Sequence, residues 1–137
     1  MEDKQEKIKV VYCEPGKKAR IVEIGTELSD LQRVVGGGFI ETYYPFEEEV
    51  CIVCNDEGKL NGMRPCRAVY GEDQMIQDII FGPFFVCDCS SENFGSLNPE
   101  QLDRYGHMFE CPEHYAKING KIHAFKYEPS KDIERTR

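Results

Sequence analysis

Three consecutive glycines, residues 36–38, separate a helical pattern from an extended one. Before them, Leu28, Leu31 and Val35 are spaced so that they share one face of a helix. After them, residues 39–44 alternate as the side chains of a strand do. Because glycine has no Cβ and readily adopts the left-handed backbone that ends helices, we predict that the helix stops at the first glycine. The chain is therefore expected to pass directly from a helix into a sheet strand.

Further strands are indicated on both sides of this junction. Near the start, residues 8–13 and 19–24 are rich in β-branched side chains and flank the turn Glu14-Pro15-Gly16-Lys17. Proline and glycine at the two central positions are typical of a type II turn, so a β-hairpin is predicted. Residues 50–54 are nearly all apolar, which indicates a central strand covered on both faces.

The second half of the chain combines an interrupted strand with a helix. The dense apolar segment 78–87 predicts a strand that Gly82-Pro83 interrupts near a sheet edge. The segment Asn98-Pro99-Glu100-Gln101 predicts a helix start, because it offers an N-cap, a proline at the first helical position and a capping-box partner. Thr26 is the corresponding predicted cap of the first helix.

Near the end of the chain, Asn119-Gly120 is typical of a two-residue β-hairpin turn. A short helix that begins at Pro112 and ends at the same dipeptide is the alternative. Together the patterns predict an α+β fold, with a mixed, mainly antiparallel sheet of about five strands and two short helices packed on it. We expect one α+β domain over residues 8–128, between a flexible N-terminus at 1–7 and a flexible C-terminal tail at 129–137.

The formal net charge of −8 argues against direct binding of nucleic acid, because such binding uses Lys and Arg to neutralise phosphates. An acidic chain is attracted instead to basic partner surfaces, although acidity alone also keeps a small protein in solution. No segment approaches the roughly 20 apolar residues that cross a bilayer, and the charged start lacks the apolar core of a secretory signal. We therefore expect a cytoplasmic protein that binds no membrane.

Seven cysteines without an export signal are expected to be free, buried thiols rather than disulfides. Cys51 and Cys54 are three residues apart in an apolar strand pattern, so they should face opposite sides of the sheet. We expect neither a metal nor another cofactor. If the chain does bind zinc, the expected ligands are Cys87, Cys89, Cys111 and His114.

Nothing in the sequence places a histidine beside a nucleophile. His107, His114 and His123 all lie in the last third of the chain, and no motif pairs one of them with a cysteine or a serine. The glycine run follows a helix, whereas a phosphate-binding loop precedes one, so anion binding at these glycines is not expected. We expect no enzymatic activity and no catalytic residues.

Aromatic residues next to polar turns indicate a surface that binds a partner protein. Tyrosine offers a large contact area for little loss of conformational freedom, and it is enriched at interfaces. The alternative is that these aromatic side chains fill the core or shield a face of the sheet. The predicted partner-binding residues are Tyr43, Tyr44, Phe46, Asn55 and Asn61.

Several short segments occur in an order and spacing that is specific when they are taken together. They are Glu14-Pro15-Gly16, Val35-Gly36-Gly37, Phe39-Ile40-Glu41, Tyr44-Pro45-Phe46, residues 53–62, residues 78–82 and residues 97–102. With these segments, the stretch from about Val10 to Tyr105 resembles the domain of unknown function 3846 family, small proteins carried by phages and conjugative elements of Gram-positive bacteria. The resemblance implies a mobile genetic element as the context and assigns no mechanism.

We therefore expect a non-enzymatic accessory protein of a mobile genetic element or phage that binds a host or element-encoded protein, with counter-defence as one such role. One alternative is a sponge that binds a small nucleotide-like signal in a pocket between protomers. Another is a small zinc- or redox-linked module. The oligomeric state and the identity of the partner do not follow from the sequence.

Overall fold

The computed structural model describes residues 6–129, in which the chain forms nine strands and two helices. In chain order the elements are β1 Lys7–Cys13, β2 Arg20–Gly25, α1 Leu28–Val34, β3 Ile40–Tyr43, β4 Val50–Asn55, β5 Pro65–Tyr70, β6 Ile76–Phe81, β7 Phe84–Asp88, α2 Pro99–Met108, β8 Glu113–Ile118 and β9 Lys121–Lys126. The flexible ends predicted at 1–7 and 129–137 lie mostly outside the described residues, and Lys7 already belongs to β1.

The main sheet has five antiparallel strands in the order β2-β1-β7-β4-β3. All six residues of β4 are buried, which confirms the prediction of a strand covered on both faces. Two further two-stranded sheets, β5–β6 and β8–β9, stand beside it. The predicted α+β fold with a mainly antiparallel sheet of about five strands and two helices is confirmed, and the two extra hairpins are additions to it.

The main sheet separates two apolar layers. On one face, Leu31 and Val35 from the α1 region pack against Val53 and Phe85 of the sheet. On the other face, α2 and the β5–β6 sheet cover the remaining inward side chains, which include Phe84. Leu28 shares the predicted apolar stripe of α1 but is 59% exposed, so the helix contacts the sheet through a narrower face than the pattern indicated.

The segment around Gly82-Pro83 departs from the prediction of a single interrupted strand at a sheet edge. It consists of two strands in different sheets: β6 pairs with β5, and β7 lies at the centre of the main sheet. Gly82 has a φ of +89°, and its N–H donates to the Arg64 carbonyl oxygen at 2.8 Å. Proline fixes φ and has no N–H to donate, so the pair redirects the chain instead of bending one strand.

The helix ends follow local chemistry. Asn98 caps α2: its side chain accepts from the Gln101 N–H at 2.8 Å, and the Gln101 side chain accepts from the Asn98 N–H at 2.9 Å, as predicted. The predicted cap Thr26 is wrong, because the N-cap of α1 is Glu27, whose N–H donates to Asp30. The predicted stop at the glycines is confirmed, since Gly36 has a φ of +96°. Neither described helix is long and apolar enough to span a membrane.

The predicted hairpin at Asn119-Gly120 is confirmed, and the alternative helix from Pro112 is wrong. Both turn residues have positive φ, 53° and 81°, as a turn of this type requires. Six residue pairs join β8 to β9, and within residues 6–129 neither strand pairs with a third. The hairpin therefore stands on the molecule as a separate two-stranded sheet.

Candidate functional site

A groove of about 820 Å³ lies between the loop that follows β3 and the turn that joins β5 to β6. Four apolar side chains and three carboxylates dominate its lining. We call it the acidic groove and define it by Tyr44, Phe46, Glu47, Tyr70, Glu72, Asp73 and Met75. Tyr44 is 64% exposed, Met75 49% and Tyr70 43%, so a partner could contact these side chains directly.

Charge in this groove has one sign. None of its described lining residues is Lys, Arg or His, and three are carboxylic acids. Aromatic faces and carboxylates both attract cations, the former through the ring quadrupole and the latter through charge. The lining therefore suits a cationic, partly apolar ligand such as a lysine- or arginine-bearing protein segment.

Phe46 connects the acidic groove to the core. Its ring lies 4.7 Å from that of Tyr105 and 6.4 Å from that of Phe109, centroid to centroid, so α2 supports it from below. A second depression of about 390 Å³ shares Phe46 and Tyr70 with the acidic groove and continues towards Met108. The apolar lining is thus continuous from the β5–β6 turn to the end of α2.

Glu48 fastens the loop that carries Tyr44 and Phe46. Its carboxylate accepts hydrogen bonds from Tyr105, Gln101 and Arg104, all three on α2. The hydrogen bonds from Tyr105 and Gln101 hold the pKa of Glu48 below its usual value. Burial, together with the same carboxylate, raises the pKa of Tyr105 to about 12. One side chain thereby fixes the groove wall to the helix.

Glu48 leads to a pH-dependent prediction. Because its pKa is lowered in the folded state, the stabilisation is present above the unfolded value of about 4.5 and is lost as pH falls through the folded value. We expect Glu48→Gln to lower the melting temperature near neutral pH and to flatten its fall on acidification. Thermal melts from neutral pH to about pH 3 measure this, with Glu47→Gln in the same loop as the control. If the melting temperatures of wild type and Glu48→Gln fall equally as the pH is lowered, the hydrogen bonds to Glu48 do not stabilise the fold.

The turn between β5 and β6 supplies the opposite wall. The Gly71 N–H donates to the Met75 carbonyl oxygen at 2.9 Å, and the Met75 N–H donates to the Asp73 side chain at 3.0 Å. Gln74 has a φ of +66°, a left-handed conformation that closes this tight turn. The turn thereby holds Tyr70 and Met75 at its two ends, facing the loop that carries Tyr44.

The predicted partner-binding residues fall into three places. Tyr44 and Phe46 line the acidic groove. Tyr43 lies in a separate, smaller depression of about 180 Å³ beside β6. Asn61 is exposed in the turn after β4, away from both walls of the groove. The prediction thus found one wall of the groove, and Tyr70 and Met75 of the other wall were missed.

Asn55 holds neighbouring parts of the backbone together through its side chain. It is 6% exposed, its amide donates to the Val35 and Gly37 carbonyl oxygens, and its side-chain oxygen accepts from the Glu57 N–H at 2.9 Å. These bonds satisfy carbonyl groups left over at the end of α1. Asn55 therefore anchors the glycine run to β4, and it also lies in the lining of the small depression that contains Tyr43.

The cysteines behave as packing residues. All seven are free, and five of them are buried. Cys51 lies in the layer under α1 and Cys54 in the layer under α2, which confirms that they face opposite sides of the sheet. Cys51 and Cys87 are cross-strand neighbours with sulfurs 3.9 Å apart. The bond to Cys51, together with burial, raises the pKa of the Cys87 thiol, which stays protonated.

The four conditional zinc ligands are not gathered into one site. Cys87 is buried in the main sheet, and Cys89 is partly exposed just after it. Cys111 donates to Glu128 at 3.7 Å, while the His114 ring stacks on Tyr127 at 4.1 Å. Over residues 6–129, no three His, Cys, Asp or Glu side chains are placed to hold a metal ion together.

Arg67 is the polar residue to which the sequence assigned no role. Its side chain is fully buried, and it donates to the carbonyl oxygens of Phe109 at 2.9 Å, Cys66 at 2.9 Å and Lys17 at 2.7 Å. One guanidinium thus joins β5, the turn after β1 and the end of α2. Burial raises the pKa of the nearby Cys13 to about 12 despite this positive charge. Arg67 holds together the elements beneath the groove.

No curated protein and no solved structure matches the chain. The model of a family described as a domain of unknown function, DUF3846, matches residues 8–110. This span runs from β1 to just past α2 and includes the acidic groove, whereas β8 and β9 lie beyond it. Because the match covers more than half of the chain, the protein belongs to the DUF3846 family.

Proposed function

We propose that this protein is a non-enzymatic binding protein whose acidic groove takes a basic segment of a partner protein. The single observation that carries the proposal is the groove lining, in which exposed Tyr44, Tyr70 and Met75 stand among three carboxylates. Buried aromatic anchors surrounded by polar residues are the usual source of affinity at protein interfaces. Carboxylates around such anchors select a cationic partner and reject an anionic one.

A mobile genetic element is the proposed context, and the cytoplasm of its host the proposed location. There the partner would be a host or element-encoded protein. In a counter-defence role, the acidic groove would bind and block a basic surface of a host defence protein.

The groove favours this proposal over a nucleotide sponge. A nucleotide brings phosphate charges, and Glu47, Glu72 and Asp73 would repel them. The sponge hypothesis requires Lys, Arg or helix N-termini directed at the phosphates, and the described lining of the groove supplies no such group. The same carboxylates would attract a lysine or arginine side chain.

The proposal predicts that the groove aromatic residues dominate binding. Each of Tyr44→Ala and Tyr70→Ala is expected to weaken binding of a lysine- and arginine-rich peptide about tenfold or more, because each removes an exposed anchor. Fluorescence anisotropy with a labelled basic peptide measures the dissociation constants, and raised salt should weaken binding further.

Phe39→Ala is the matched control, because Phe39 is also aromatic and 72% exposed but lies outside the groove. It should bind the peptide as wild type does. Pull-down from host lysate with wild type and Tyr44→Ala then identifies the partner. If both groove variants keep wild-type affinity for the captured protein, the proposal is wrong.

A further inference from the structure

The β8–β9 hairpin lies beside the β5–β6 sheet, and hydrogen bonds join it to the rest of the molecule at its base. There the Ala68 N–H donates to the Glu113 side chain at 2.9 Å, and the Tyr127 N–H donates to the Pro112 carbonyl oxygen at 3.0 Å. The hairpin also lies beyond residues 8–110, the part of the chain that the family model matches. We call it the arm, residues 113–126. No arm residue lines the acidic groove itself, whereas Glu113 and Lys126 at the base of the arm line the adjoining depression.

The arm differs in charge from the rest of the chain. It carries Lys117, Lys121 and Lys126 against Glu113, a net charge of +2 with histidine neutral. Since the whole chain carries −8, the remainder carries −10. The arm is therefore attracted to the acidic surface of any other copy of this chain.

The tip of the arm combines this charge with apolar area. Lys117 and Ile118 precede the turn, Lys121 and Ile122 follow it, and all four are exposed. Ile118 is 44% exposed and Ile122 47%, and Ile122 also lies beside Pro65 and Phe81 of the β5–β6 sheet. Two cations beside two apolar side chains are complementary to the carboxylates and aromatic rings of the acidic groove.

The tip of the arm cannot reach the groove of its own molecule. Lys117 and Ile122 lie beside Pro65 and Phe81, at one end of the β5–β6 sheet, whereas Tyr70 and Met75 mark its other end. Strands of six residues span roughly 16–20 Å, and the base of the arm is fixed on β5. Only a second molecule can bring its tip into the groove.

We propose that the tip of the arm docks in the acidic groove of a second copy of this chain. If each copy inserts its arm in the groove of the other, the two contacts are identical and close a two-fold dimer. The inference rests on the proposed function, because it assigns an occupant to the same groove. A basic partner protein would then compete with the second copy, and dimerisation would keep the exposed aromatic residues covered until that partner is present.

Charge reversal tests this arrangement. Sedimentation velocity over a range of concentrations should show a monomer–dimer equilibrium that raised salt shifts towards monomer. The arm variant Lys117→Glu/Lys121→Glu and the groove variant Glu47→Lys/Glu72→Lys should each dimerise about tenfold or more weakly, because each opposes like charges. Mixing the two variants should restore dimers, since each reversed arm then meets a groove of opposite charge.

The matched control for the arm variant is Lys7→Glu/Lys9→Glu on β1, which changes the net charge by the same amount and should leave the dimer unchanged. Circular dichroism of every variant verifies that the exposed substitutions preserve the fold. A wild-type protein that is monomeric at all concentrations overturns the inference, as does a mixture that stays monomeric. If the wild-type protein is monomeric but still binds basic peptides, only the inference about the dimer is wrong and the proposed function stands. If the wild-type protein forms the dimer but basic peptides do not bind it, the proposed function is wrong.

Discussion

Arg67→Met is expected to lower the free energy of unfolding by about 3–4 kcal/mol. The buried guanidinium donates to three backbone carbonyl oxygens at 2.7–2.9 Å, and hydrogen bonds from charged groups contribute about 1.5–3 kcal/mol each. The loss of these hydrogen bonds is partly offset, because the variant no longer buries a charge that has lost its hydration. Urea unfolding followed by circular dichroism measures the difference.

Two control variants separate the loss of these hydrogen bonds from the general effect of replacing an arginine. Arg64→Met makes the same change at an exposed position three residues earlier, and it should alter the free energy of unfolding by less than about 0.5 kcal/mol. Arg67→Lys should remain strongly destabilised, because one ammonium cannot reach three separate carbonyl groups. If Arg67→Met is within about 1 kcal/mol of wild type, the role of Arg67 as a link between elements is wrong.

Phe84→Ala is expected to cost about 3–5 kcal/mol, the range for truncating a fully buried phenylalanine. Phe84 has no exposed surface and belongs to the central strand β7. Its ring meets that of Phe109 edge to face at 5.4 Å, so the change also loosens the end of α2. Thermal and urea unfolding report the loss, and the acidic groove should bind basic peptides more weakly because Phe109 supports Phe46.

Phe39→Ala is the control for the same chemical change, because Phe39 is 72% exposed at the start of the segment that leads into β3. It should alter the free energy of unfolding by no more than about 0.5 kcal/mol. Equal losses for the two variants would mean that β7 is not the centre of the packed sheet. The comparison is informative because both residues stand in strand-like apolar sequence, and only the fold distinguishes them.

The candidate site was accessible to sequence reasoning only in part. Tyr44 and Phe46 could be found because an aromatic run beside Pro45 at the end of a strand pattern indicates an exposed loop. Tyr70 and Met75 could not, since their exposure depends on a second sheet whose pairing partner was not evident. The anchoring role of Asn55 could not be found either, because the carbonyl groups that it binds are about 20 residues earlier in the chain.

The sequence alone determined the local features of this protein: the capped start of α2 at Asn98, the helix stop at Gly36, the tight turn at Asn119-Gly120 and the fully apolar β4. Each of these features depends on interactions between residues a few positions apart, so it can be predicted from a short stretch of sequence. The tertiary structure decided the division at Gly82-Pro83 into strands of different sheets, the burial of Arg67 and the meeting of two distant turns at the groove. These depend on contacts between residues far apart in the chain, which local periodicity cannot encode.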